Sequence, residues 1–212
     1  MFFQLPDEII FPEPALADED GLLAVGGDLS EERLLLAYRN GIFPWYSEDE
    51  PILWYSPHER FVIVPGEVKV SHSMRQLINS AKYEIRWNTA FEDVITHCSS
   101  IRRKGQGGTW IHDDMINAYT RLHQKKIAQS VEVWQDGTLV GGLYGVVVGK
   151  MFCGESMFSK LPNTSKLALI ALCRSGEFEL IDCQVYTKHL EKMGAKIISR
   201  EQFMETLNGT IN

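Results

Sequence analysis

The 212-residue chain is sparing with the residues that staple, chelate or span. It has four cysteines, Cys98, Cys153, Cys173 and Cys183, and no two of them form a CxxC pair. Each stands in an apolar stretch, so they read as reduced core thiols rather than disulfides or zinc ligands. The six histidines show no ligand spacing, and no metal is expected. No apolar run approaches the length of a membrane span, and the opening "MFFQLPDEIIFPEP" lacks the basic and then apolar layout of a secretory leader. The expectation is a cytoplasmic protein without a membrane partner. It is expected to be a monomer, because no surplus apolar helix face asks for a second copy. Motifs for covalent catalysis are also missing. Cys153 and Cys183, nucleophiles only on paper, have no histidine close in sequence to activate them, and the glycines of "KGQGGTWIHDDM" lack the spacing of a nucleotide loop.

Cations are scarce at the start of the chain. Residues 1–68 carry 3 basic and 14 acidic side chains, residues 69–126 carry 10 and 5, and residues 127–212 carry 8 and 9. A net charge of -7 argues against a general nucleic-acid coat, whereas the basic middle third could meet phosphates locally. Arg102, Arg103 and Lys104 are its densest run, offering phosphate contacts. The alternative is that these charges are the solvated faces of amphipathic helices.

What the chain does contain is a change of texture near residue 60. The first sixty residues are rich in Pro, Gly and aromatics, with one short helix "EERLLLAYRN" that Ser30 should cap and Gly41 should stop. Trp45 and Trp54 stand in Pro-punctuated loops, where large aromatics are expected to pack on something or bind something. From Phe61 the pattern predicts strands near 61–64, 83–88, 129–135, 138–149, 150–157, 179–186 and 195–199. It predicts helices near 72–80, 89–102, 113–125, 164–174, 187–193 and 200–207. Asp136-Gly137 marks a tight hairpin, and Asp113 or Asp114 should cap the helix that follows Trp110. The fold class is therefore α+β, with a small irregular domain over 1–60 and a mixed-sheet domain over 61–212. The order of the second part resembles the acetyltransferase-like GNAT sheet.

Two strands carry polar groups where apolar ones are expected. In "ELIDCQVY", residues 179–186, alternation puts Asp182 and Gln184 on one face, roughly 7 Å apart, and Cys183 on the other. In "MFCGESMFS", residues 151–159, Glu155 follows Gly154, where the backbone can bend or a ligand can approach. Either neighbouring groups satisfy these side chains, or they face a cleft. A cluster of two acids and an amide suits the holding and deprotonation of an amine. Trp110, close to the Arg102–Lys104 run, suits stacking on an unpaired base, with core packing as the alternative.

In sequence order, "GLLAVGGDLS", "YRNGIFPWYS", "ILWYSP", "GTWI", "SVEVW", "LVGGLYGV", "FCGESMFS", "NTSKLAL" and "LIDCQV" resemble the leucyl/phenylalanyl-tRNA-protein transferase family, from about Gly21 to Gly194. The resemblance implies a cytoplasmic bacterial enzyme without cofactor. Such an enzyme moves Leu or Phe, less readily Met, from aminoacyl-tRNA to proteins with N-terminal Arg or Lys, marking them for N-degron degradation. It implies that Asp182 and Gln184 polarise the attacking α-amine, and that Glu155 supports them or recognises the acceptor. It implies that Trp45 and Trp110 contact the 3′-adenosine of the tRNA. Leu143, Phe152, Met157, Leu169, Leu172 and Ile181 would form the aminoacyl pocket; at Leu143 and Leu172 better-known members carry Met and Phe. A basic tail of longer members has no counterpart here, and Arg102 to Lys104 would compensate. Two other readings fit less well: an acyl-coenzyme A acetyltransferase needs a pyrophosphate-cradling loop that "FSKLPNTSK" imitates only in part, and a non-catalytic nucleic-acid module leaves the two-acid cluster without a purpose.

Overall fold

A computed structural model describes residues 2–101 and 110–211. The N-terminal part builds a small sheet from β1 (Phe3–Leu5), β2 (Leu22–Gly26), β3 (Phe43–Pro44) and β4 (Leu53–Tyr55), ordered β1-β2-β4-β3. Helix α1 (Glu31–Arg39) lies between β2 and β3 in sequence. Ser30 caps it by accepting a hydrogen bond from the Arg33 amide at 3.3 Å. It ends because Gly41 takes a left-handed φ of 67°, which turns the chain sharply into β3. Trp54 packs rather than binds: it is fully buried, edge-on to Phe11, and its indole N–H donates to the Gly26 carbonyl at 2.8 Å.

The rest of the chain contributes β5 (Glu59–Ile63), α2 (His72–Asn79), β6 (Glu84–Trp87), α3 (Phe91–Ser99), α4 (Asp113–Gln124), β7 (Ala128–Gln135), β8 (Thr138–Val148) and β9 (Met151–Ser159). It continues with α5 (Thr164–Arg174), β10 (Leu180–Asp182), α6 (Lys188–Lys192), β11 (Lys196–Ser199) and α7 (Arg200–Ile211). Seven strands form one mixed sheet, ordered β11-β5-β10-β9-β8-β7-β6. β6 to β9 make an antiparallel meander, α5 crosses over, and β10 returns parallel to β9, which is the acetyltransferase-like arrangement. Asp136 and Gly137, both at positive φ, make the β7–β8 turn that the sequence signals.

Each face of this sheet is covered. One core joins residues of α1, α3, α4 and α7 to Tyr144, Val146 and Cys153 and runs on into the small sheet through Leu23 and Trp54. The other packs α2, α5 and α6 over Ile63, Val131, Leu143, Phe152 and Ile181. Three sequence expectations need correction. The predicted strand over 179–186 stops at Asp182, the last residue that β10 pairs with β9. The helix expected over 89–102 is the shorter α3. The cap of α4 is His112, with Asp113 and Asp114 in the first turn, where their charge meets the positive end of the helix.

Candidate active site

The site forms where two parallel strands part. β10 pairs with β9 over only three positions, the last being Asp182 opposite Cys153. Beyond it β9 runs on to Ser159, while the segment after Asp182 parts from β9 and stays bonded to Phe61 of β5, and a gap opens between them. Two local irregularities aim side chains into this gap. In β9 the register slips: Gly145 faces Gly154 and Tyr144 faces Ser156, so Glu155 is the unpaired extra residue of a β-bulge. Consequently Gly154, Glu155, Ser156 and Met157 all line one cavity, which plain alternation forbids. Beyond β10, Gln184 adopts a left-handed φ of 61°. Its carboxamide donates to Glu155 Oε1 at 2.9 Å. The sequence brings Asp182 and Gln184 together by strand alternation; the molecule does it with a turn, and Cys183 lines the same cavity instead of the far face.

Glu155 is 7% exposed and held by three donors: Gln184, the Tyr38 hydroxyl at 2.7 Å, and the Tyr119 hydroxyl at 3.3 Å. Tyr38 comes from α1 and Tyr119 from α4, and their hydroxyls also lie within hydrogen-bonding reach of each other, so two protons are shared among three contacts. Burial raises the Glu155 carboxyl, the three hydrogen bonds lower it in part, and the nearby Asp182 charge raises it again, to about 7. Burial and the Glu155 charge push both tyrosines well above their ordinary range, so they stay protonated and donate. A carboxyl poised near neutrality inside a cavity can hold or release a proton at little cost.

Asp182 lies deeper and is fully buried. Arg60 grips it: Nε donates to Oδ1 at 3.3 Å and Nη2 to Oδ2. Oδ1 also accepts the backbone amide of Gln184 at 2.8 Å. The cluster therefore sets one guanidinium against two carboxylates, an arrangement that attracts a further cation. Sequence reasoning misses Arg60, Tyr38 and Tyr119. Arg60 breaks an apolar strand as Asp182 does, which is the one signal it offers; the tyrosines read as ordinary residues of amphipathic helices.

The cavity encloses about 570 Å³. All six residues of the expected aminoacyl pocket, Leu143, Phe152, Met157, Leu169, Leu172 and Ile181, line its apolar end. Gly145 shapes this end, since a Cβ there would stand 2.5 Å from the Phe152 ring and 2.3 Å from the Cys153 carbonyl. Trp45 and Trp110 also line the cavity, Trp45 with 39% of its surface exposed. Burial pushes the Cys183 thiol far up, leaving little thiolate for nucleophilic attack. Arg102, Arg103 and Lys104 lie outside the described residues. Among the described residues no group of His, Cys, Asp and Glu could hold a metal ion, and no helix is long and apolar enough to cross a membrane.

Fold and site together define a class: an acetyltransferase-like α+β protein whose cleft joins an apolar side-chain socket to a carboxyl-amide cluster. Family comparison narrows this class. The profile of leucyl/phenylalanyl-tRNA protein transferase matches residues 62–208, and that of its N-terminal domain matches residues 27–58. The leucyl/phenylalanyl-tRNA-protein transferase of Flavobacterium johnsoniae is 51% identical over 208 residues, covering 97% of this chain and 98% of that protein. The enzyme of the same name from Syntrophobacter fumaroxidans is 53% identical, covering 97% and 89%. That of Nitrosomonas eutropha is 54% identical over 198 residues, covering 92% and 84%. The chain belongs to the leucyl/phenylalanyl-tRNA-protein transferase family.

Proposed function

We propose that this chain moves leucine or phenylalanine, and less readily methionine, from its tRNA to the amino terminus of proteins that begin with Arg or Lys, marking them for N-degron degradation. One observation carries the reading: the apolar socket and the Glu155–Gln184–Asp182 cluster open into a single cavity, so a nonpolar side chain and an incoming amine can meet there. The aminoacyl side chain enters the socket, and the terminal adenosine stacks on Trp45 and Trp110. The acceptor ammonium is drawn to the surplus carboxylate.

Glu155 takes a proton from that ammonium, and Gln184 helps to orient the resulting amine. The nitrogen lone pair attacks the ester carbonyl, the C–O bond to the ribose breaks, and the departing ribose oxygen takes the proton that the attacking nitrogen sheds as the amide forms. The ester is already activated, so the protein's work is to position the amine, accept its proton and exclude water. On this reading the protein acts as a monomer in the cytoplasm.

Single-turnover assays with leucyl-tRNA and phenylalanyl-tRNA test the reading on two peptides, one opening with Arg and one with Ala. Product on the Arg peptide is expected; product on neither peptide, or equally on both, contradicts it. Trp45→Ala and Trp110→Ala should each raise the KM for aminoacyl-tRNA about tenfold, since a base stacked on an aromatic contributes roughly 1–3 kcal/mol. Their kcat should stay within about threefold of the parent protein.

A further inference from the structure

Arg60 is 3% exposed, and all its guanidinium nitrogens are engaged. Nε and Nη2 hold the two oxygens of Asp182, and Nη1 donates to the Gly41 carbonyl at 2.8 Å. The guanidinium carbon lies 4.4 Å from the Phe203 ring centroid and 4.9 Å from that of Phe43. Planar stacking and a two-pronged grip are properties of arginine that lysine lacks. The next residue, Phe61, continues the same anchorage: its N–H donates to the Gln184 carbonyl at 3.4 Å, and its carbonyl accepts the Cys183 amide at 2.8 Å.

The target of this grip is a strained point. Gln184 is one of the few non-glycine residues at positive φ. Such a conformation costs on the order of 1 kcal/mol and persists where surrounding bonds fix it. Besides the longer bond from the Phe61 N–H to its carbonyl, the Gln184 backbone is fixed by the bond from its amide to Asp182 Oδ1, an oxygen that Arg60 also holds. Gln184 in turn places its carboxamide on Glu155. With two donors on Oδ1 and one on Oδ2, the buried Asp182 carboxylate is occupied as a scaffold.

We propose that Arg60 is a positioning residue for the transfer reaction, holding Asp182 so that the left-handed turn at Gln184 sets its carboxamide on Glu155. The proposal rests on the transfer reading above, and its test separates the two. Arg60→Lys keeps the charge but cannot bridge both Asp182 oxygens and the Gly41 carbonyl at once. Hydrogen exchange at the Gln184 amide should speed up at least about tenfold, because its acceptor is no longer fixed. The kcat for transfer should fall about 100-fold, the usual loss when a reacting group is misplaced by about 1 Å. The KM for leucyl-tRNA should change less than about threefold, since β3–β4 pairing and the bond from the Trp45 amide to the Leu53 carbonyl fix the Trp45 loop independently.

Because Arg60 acts through Gln184, the pair Arg60→Lys and Gln184→Ala should be no slower, within about twofold, than Gln184→Ala alone. Asp182→Asn, which keeps an acceptor oxygen for the amide but weakens the arginine's hold, should show the same pattern in milder form and serves if Arg60→Lys folds poorly. Unchanged Gln184 exchange, a loss confined to KM, or multiplicative losses in the double variant would overturn the assignment. If the parent protein transfers nothing, the transfer reading fails, while Gln184 exchange still decides what Arg60 holds.

Discussion

Glu155→Gln should slow single-turnover transfer by about 10²–10⁴-fold, the range typical of a lost general base. It should also make the protein more stable at pH 8. The sign follows from the raised carboxyl, whose ordinary value is 4.5 and whose value here is about 7. Below pH 4.5 both folded and unfolded chains hold the proton and no penalty exists. As pH rises, the unfolded chain releases its proton first, so folding stability falls until about pH 7 and stays lowered above it. The loss is on the order of 3 kcal/mol, and glutamine removes it. Thermal denaturation should show Glu155→Gln melting about 7 °C above the parent at pH 8 and level with it at pH 4. The parent's kcat/KM for the acceptor, which reports the free protein, should fall about tenfold per unit below pH 7, and this limb should vanish in the variant. The groups facing Glu155 are Tyr38 on α1, Tyr119 on α4, Gln184, and Asp182 with its Arg60 partner. The tyrosines titrate far above this window. The acceptor's own amine titrates near 8 and supplies a separate limb that survives the substitution.

Asp182→Ala should have the largest effect on the fold. It leaves the buried Arg60 without its counter-charge, and breaking a buried pair from one side costs about 3–5 kcal/mol. For a chain of this length that is a drop of about 10 °C in Tm. Transfer should be nearly abolished, because the Gln184 turn loses its anchor, while aminoacyl-tRNA binding persists through the socket and the tryptophans. Replacing both partners with apolar residues, Arg60→Met with Asp182→Leu, removes both buried charges and should recover most of the Tm without recovering turnover. Recovery of turnover in that double variant would show that Asp182 does nothing for Gln184.

Much of this was legible in the sequence because local patterns are short-range physics. The Asp136-Gly137 hairpin, the Ser30 cap and the strand-and-helix order follow from turn chemistry and periodicity, and they stand nearly where expected. The polar intruders Glu155, Asp182 and Gln184 were also visible, since an acid in an apolar strand announces a special place. Their geometry was not. A strand continuing past Asp182 is what "ELIDCQVY" suggests on its own; the break there depends on bonds to Phe61 and Asp182 that only the folded chain makes. The bulge at Glu155 depends on Gly145 of the neighbouring strand. Tyr38, Tyr119 and Arg60 reach the cluster from 117, 36 and 122 residues away from their partners, beyond any local signal.

The central claim is that Glu155 is a proton acceptor tuned to neutrality inside the substrate cavity, and a carboxyl ¹³C titration of the folded protein, with Glu155 assigned through the glutamine variant, tests it most directly. The account predicts a midpoint near 7 that moves downward when an Arg-initiated peptide binds, because the peptide's ammonium favours the carboxylate. A midpoint near the ordinary 4.5, indifferent to that peptide, would contradict it.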